Sequence, residues 1–190
     1  DNLRIYMAKI KYIVFTAGVY AVQASKLKNL ITEATNEKYD ELYFLISSGG
    51  GDVFEGLSVA SLIRALRMKT TMHNVGQVDS VATAIFSAGK ERVSNQNASF
   101  MFHGVSMNMN AGGLLEQQLK EIYDSSRRMK ADIAKAISSY VGLPLNKIEA
   151  LMIDGGSILS AEQAKTDGFI TNIIEANIPA DADIATISNA

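Results

Sequence analysis

Short β-branched and apolar runs alternate along the chain with segments whose apolar residues recur every three or four positions. That alternation predicts strands joined by helices. Strands are expected at Tyr12 to Thr16, Leu42 to Ile46, Thr70 to Asn74, Arg92 to Ser94, Ser99 to His103 and Phe169 to Ile174. Several are apolar nearly throughout, as strands covered on both faces tend to be. Helical spacing covers Val22 to Glu37, with Leu27, Leu30, Ile31 and Ala34 on one face. It recurs over Val53 to Leu66, where Leu57, Ala60, Ile63 and Leu66 repeat. The class is α/β, with helices packed on a mainly parallel sheet.

From Gly113 to Tyr140 the pattern lengthens: Leu115, Leu119, Ile122, Met129, Ile133, Ile137 and Tyr140 keep the helical spacing, and Gly142 with Pro144 supplies a stop. A helix of that length would span about 42 Å. Either part of it projects from the domain and meets another subunit, or it breaks near Ser125-Ser126 and folds back. A shorter helix is expected at Leu145 to Met152, and Ser160 with Gln163 reads as a capping box opening a helix that stops at Gly168. No internal repeat or linker divides the chain. It reads as one domain over residues 1–175, with a long helix at about 113–141 and a small, polar, loose tail over 176–190.

Composition narrows the chemistry. With 190 residues, 47% hydrophobic and 20% charged, the chain can bury a full core, which excludes general disorder. Eighteen basic against twenty acidic residues give a net charge of −2. No run of five like charges occurs, so neither nucleic acid nor an anionic membrane is an expected partner. The absence of Cys removes disulfides, thiolate metal sites and a thiol nucleophile, and two histidines leave little for a metal centre. Neither metal nor cofactor is expected. No stretch approaches the 18 or so uninterrupted apolar residues of a membrane span, so the expected location is cytoplasmic.

Four segments could carry chemistry. Gly49-Gly50-Gly51 lies between an apolar strand and a helix, where glycine permits positive φ and close approach of a ligand to backbone N–H donors. It is also readable as an ordinary glycine turn, and it matches neither nucleotide-binding glycine motif. Ser80 opens a run of small and apolar residues ending at Gly89. A hydroxyl there either attacks a carbonyl in the positive field of a helix start or, like Asp79, caps the helix. His103 follows four strand residues and precedes a glycine, a place for a general base or for a hydrogen-bonded structural imidazole. His73, inside a strand, is read as structural. Asp154 stands before Gly155-Gly156, either orienting an imidazole or making a turn. Together the four supply donors for an oxyanion, a nucleophile, a base and an orienter, the parts of acyl transfer.

From about Ile10 to Ile174 the chain resembles the proteolytic subunit of the Clp protease, a self-compartmentalising serine peptidase. The resemblance rests on the order and spacing of four segments: Tyr43-Phe-Leu-Ile-Ser-Ser-Gly-Gly-Gly-Asp-Val53, Val78-Asp-Ser-Val-Ala-Thr-Ala-Ile-Phe-Ser-Ala-Gly89, Ser99-Phe-Met-Phe-His103, and Leu159-Ser-Ala-Glu-Gln-Ala164 with Gly168-Phe-Ile just beyond it. It implies a crotonase-like spiral of ββα units. It implies Ser80 as nucleophile, His103 as base, Asp154 as third member, and Gly51 and Val81 as oxyanion donors with Gly50 shaping the turn. By the same resemblance the long helix is a handle that interlocks heptameric rings around a chamber. The implied substrates are peptides or unfolded proteins, and an ATP-driven unfoldase is the implied partner.

The chain departs from the family pattern at three places. Gly49 stands where the family has Pro, and Ala82 where it has Gly. The usual acid position holds Gly156, with Asp154 two residues earlier. Those departures identify a divergent member and leave two further functions to weigh: a catalytically impaired ring subunit, and acyl-CoA chemistry on the same fold, since two backbone donors also suit a thioester oxygen.

Overall fold

The computed structural model describes residues 8–107, 112–113, 115–153 and 155–189. The expected alternation is present. Strand β1 (Ile10–Thr16), helix α1 (Ala21–Asn36), β2 (Glu41–Ser48), α2 (Val53–Ala65), β3 (Lys69–Asp79), α3 (Ala82–Ser87), β4 (Glu91–Ser94) and β5 (Ser99–Phe102) form the first half. The second half comprises α4 (Glu116–Val141), α5 (Leu145–Leu151), β6 (Ser157–Ser160), α6 (Ala161–Thr166), β7 (Asn172–Ile173) and β8 (Asp183–Ser188). The strands form one sheet in the order β6-β5-β3-β2-β1-β8, with β4 bridging β3 and β7. Every described pairing is parallel except β5 with β6.

Strand β3 organises the site. Its first part, Thr71 to Asn74, pairs with β4, and its last three residues pair with β5. Between them the register against β2 shifts, from Ile46 opposite Asn74 to Ser48 opposite Val78. Gly76 sits in that irregularity, where a Cβ would lie 2.8 Å from Ser47 Oγ. A bulge of this kind bends a strand and re-aims the residues beyond it. The apolar pattern predicts a strand ending at Asn74; the strand continues to Asp79 because the bulge accommodates a polar, glycine-containing stretch that interrupts that pattern.

The core lies between this sheet and the inward faces of α1 (Ala24, Leu27, Ile31, Ala34), α2 (Val59, Ala60, Ile63) and α4 (Met129, Ile133, Ala134, Ile137). Phe169 ties three elements together. Its ring stacks on Phe86 of α3 at 5.7 Å and meets Phe100 and Phe102 of β5 edge-on at 5.2 and 5.1 Å. Helix and strand are thus fixed to each other beneath the site.

Helix α4 passes unbroken through Ser125-Ser126. At 26 residues it is about 39 Å long. Its C-terminal half is buried on the domain, whereas Leu115, Leu119 and Tyr123 near its start are 72%, 48% and 60% exposed. Gly142 closes it in the left-handed conformation at φ 75°. The tail expected to be loose carries β8, which pairs with β1 from Lys11 to Thr16. Only Ile187 of β8 is buried, so its apolar signal is too thin to read from sequence. Lys11 Nζ pairs with Asp183 at 2.6 Å, and the Gly18 N–H donates to Asn189 Oδ1 at 2.8 Å. Among the described residues no helix is long and apolar enough to cross a membrane.

Candidate active site

Ser80 connects the end of β3 to α3 in a conformation that side chains rarely adopt, with φ at +57°. Three hydrogen bonds hold it there. Its N–H donates to the Met101 carbonyl of β5 at 2.9 Å, and its carbonyl accepts from the Thr83 N–H at 3.0 Å and the Thr83 hydroxyl at 2.5 Å. Backbone strain sustained by surrounding bonds is typical of functional positions. Of the two alternatives for this position, the one in which Ser80 or Asp79 caps α3 through its side chain is not what the fold shows. Val81 occupies the N-cap position and no side chain caps it.

The glycine turn presses against this serine. Gly50 has φ +83°, and a Cβ there would lie 2.7 Å from Ser80 Cβ and 2.8 Å from the Asp79 carbonyl oxygen. Only a glycine gives both the conformation and the approach. The turn is pinned from the other side by Val19, whose N–H donates to the Gly50 carbonyl at 2.8 Å and whose carbonyl accepts from Asp52 N–H at 2.7 Å. Asp52 Oδ1 in turn caps α2, accepting from the Glu55 N–H at 2.9 Å. Val81 is fully buried against Gly56 of α2, which leaves no space for a side chain at Gly56. No acceptor among the described residues takes the N–H of Gly51 or of Val81.

His103 stands just past β5, half-buried. Its Nδ1 meets the Gly104 carbonyl oxygen. A carbonyl only accepts, so Nδ1 carries the proton and Nε2 presents its lone pair. Ser80, His103, Gly50 and Gly51 all line one cleft of about 590 Å3, whose rim is formed by the exposed rings of Tyr20 and Phe54. Ser80 and His103 share this cleft without a direct hydrogen bond between them; in unliganded sites such bonds commonly form only when substrate binds. Asp154 lies outside the described residues. The turn after it abuts His103: at Gly156, φ +78°, a Cβ would lie 3.0 Å from His103 Cβ and 2.9 Å from the Phe102 carbonyl oxygen. Gly155 and His103 line a smaller recess together with Met101.

Asp79 is the residue that sequence reasoning reads only as a cap. It lies opposite Met101 in the β3–β5 register and is half-buried. Burial raises its carboxyl above the ordinary value, opposed by the charge of His103 and by a backbone contact with Met101. The signal that could have found it is the adjacency to Ser80, where a carboxylate on a strand is costly without a partner.

His73 behaves as expected of a structural imidazole. It is fully buried, accepts from Tyr43 Oη at Nδ1 (2.7 Å), and donates from Nε2 toward Asn95 Oδ1 (2.7 Å) and the Ile174 carbonyl (3.0 Å). Burial lowers its pKa. Among the described residues no group of three or more His, Asp or Glu side chains converges as a metal site would require.

The family model of the Clp protease matches residues 3–177. The chain belongs to the Clp protease family. Among solved structures, that of an Asn-to-Asp mutant of ClpP1 from Listeria monocytogenes superposes with a TM-score of 0.75 at 22% identity. The match covers 87% of this chain and 91% of that one. The protein therefore has the ClpP fold, with α4 in the place of its long helix. Within that Clp framework Ser80, His103, Gly50 and Gly51 are brought to one cleft, which Asp52 also lines, while Asp79 immediately precedes Ser80 on β3.

Proposed function

We propose that this Clp protease family member is a serine endopeptidase acting on unfolded or short peptides by an acyl-enzyme mechanism. The observation that carries this reading is Ser80 itself, held at positive φ against Gly50 in the cleft that His103 also lines. The Ser80 hydroxyl attacks the scissile carbonyl carbon while His103 Nε2 takes its proton. The carbonyl oxygen becomes an oxyanion, received by the N–H groups of Gly51 and Val81. Collapse breaks the C–N bond, His103 gives the proton to the leaving amine, and the acyl group remains as an ester on Ser80. Water activated by His103 then hydrolyses the ester and restores the serine. Asp154 is the proposed third member.

The exposed Leu115, Leu119 and Tyr123 on α4 support assembly with further copies of the chain, since large apolar groups grouped on one helix face mark interaction surfaces. The oligomer would be a ring or double ring enclosing the clefts, with an ATP-driven unfoldase as a candidate partner. A fluorophosphonate probe tests the catalytic reading. The purified full chain should be labelled, and Ser80→Ala should abolish the label; an unlabelled wild type, or label that survives the substitution, refutes it.

A second reading is favoured by the open Ser80–His103 pair: a ring subunit with little activity of its own, assembling with a catalytic relative. Robust peptide hydrolysis by the homo-oligomer would remove it.

A further inference from the structure

In the proposed reaction His103 becomes a cation, and its Nδ1 is held by a backbone carbonyl that orients the ring but carries no net charge. A carboxylate is needed nearby to favour that cation. Asp79 is placed to supply it. In a parallel pair, residues directly opposite project on the same side of the sheet, so Asp79 shares a face with Met101. On β5 the residues Phe100 and Phe102 point into the aromatic core. Met101 and the residue two further on, His103, therefore take the opposite face with Asp79. Two residues along a strand is about 6.6 Å and neighbouring strands lie about 4.8 Å apart, so the diagonal between the two Cα atoms is about 8 Å. The side chains form no ion pair, and the carboxylate acts on the base through space across a half-buried face. The strand cannot slide, because the Ser80 N–H is bonded to the Met101 carbonyl.

On the reading that Ser80 and His103 form a peptidase site, we infer that Asp79 is a positioning residue that stabilises the imidazolium of His103 from the strand carrying the nucleophile. The chain then has a carboxylate beside the base that is built into the sheet rather than into a turn. The pull that the His103 charge exerts on the Asp79 carboxyl agrees with this placement. Other charged groups lie around the base: Asp52 lines the same cleft, and Arg127, Lys130 and Glu149 line the recess beside Gly104. Asp154 lies outside the described residues.

The test reads the imidazole directly. The chain has only two histidines, so the ring resonances of His103 in the full-length protein are assigned by their loss in His103→Gln. They can be titrated in a Ser80→Ala background whether or not the protein cleaves anything. Asp79→Asn, which keeps size and polarity, should move the His103 titration to lower pH, and Asp79→Glu should restore most of it. In an active wild type the same substitution should lower kcat about tenfold with little change in KM and move the acid limb of the pH profile to lower pH. An unmoved His103 titration in Asp79→Asn overturns the inference and leaves the peptidase reading intact. Failure of the wild type to react with the fluorophosphonate overturns the peptidase reading instead. If either Asp79 variant does not fold, the wild-type carboxyl carbon of Asp79 decides: it should show a step at the His103 pKa, and no step overturns the inference.

Discussion

Replacing Gly50 by alanine tests how the glycine turn and the nucleophile depend on each other. Two costs arise at Gly50. The left-handed backbone costs an L-residue about 1–2 kcal/mol. The new Cβ would also lie 2.7 Å from Ser80 Cβ and 2.8 Å from the Asp79 carbonyl oxygen. Both neighbours belong to a segment tied to β5, so relief requires a backbone shift, worth about 1–3 kcal/mol for overpacking. The sum, about 2–5 kcal/mol, corresponds to a melting point lower by about 4–20 °C in a chain of this size. Gly142 supplies the control, since it has a similar φ of +75° but nothing within 4 Å of its added Cβ. Gly142→Ala should show the backbone cost alone, about 1–2 kcal/mol, and react normally. Gly50→Ala should melt lower than Gly142→Ala and, with Ser80 displaced, lose about 10²-fold in the rate of fluorophosphonate labelling. Thermal melts and labelling time courses on the two variants measure both quantities. Equal melting points together with wild-type labelling of Gly50→Ala would refute the packing of the turn on Ser80.

The same geometry leads to three more expected outcomes. Ser80→Gly should be unreactive yet more stable than Ser80→Ala by about 1 kcal/mol, roughly 2–4 °C, because glycine takes φ +57° without strain; melting the two variants side by side checks it. His73 is less basic folded than unfolded, so the unfolded chain binds the extra proton; its contribution to stability is full above about pH 6.5 and falls as pH drops through that value toward the folded pKa. Denaturant midpoints at pH 7.5 and 5.5 should therefore differ more in the wild type than in His73→Gln. Phe169→Ala should cost about 3–5 kcal/mol by emptying the space between α3 and β5. Urea unfolding of the variant measures that loss, and a cost below about 1 kcal/mol would show that the aromatic cluster does not hold the two elements together.

The long elements are legible in the sequence because periodicity reports burial, and burial is what their packing requires. The faces of α1 and α2 are those that the spacing of Leu27, Ile31 and Ile63 marks, and Ser160 caps α6 with Gln163 at N3 as the motif predicts. Beyond these, legibility falls off where a residue's role depends on partners distant in sequence. The four-residue strand β6 is short and mixed, and β8 lies at an edge with one buried side chain. Nothing local distinguishes them from loop. The end of β3 is hidden by Gly76 and Gln77, whose strand conformation depends on a register shift against Ser47 and Ser48. Asp79 is hard to read for the same reason: beside a helix it resembles a cap, whereas the folded chain places it in β3 opposite Met101, with no side chain capping α3. Order and spacing single out Ser80 and His103, but the strained φ of the one and the carbonyl partner of the other belong to the folded chain.

The bonding of β8 to β1 has a consequence for the order in which the site matures. Asn189 holds Gly18, the next residue, Val19, holds Gly50, and Gly50 backs Ser80. Synthesis proceeds from the N-terminus, so the serine and histidine are laid down long before the strand that steadies their glycine support. A nascent chain would thus hold Ser80 and His103 without their full frame until β8 emerges, so the cleft is completed last, by the end of the chain farthest from it in sequence.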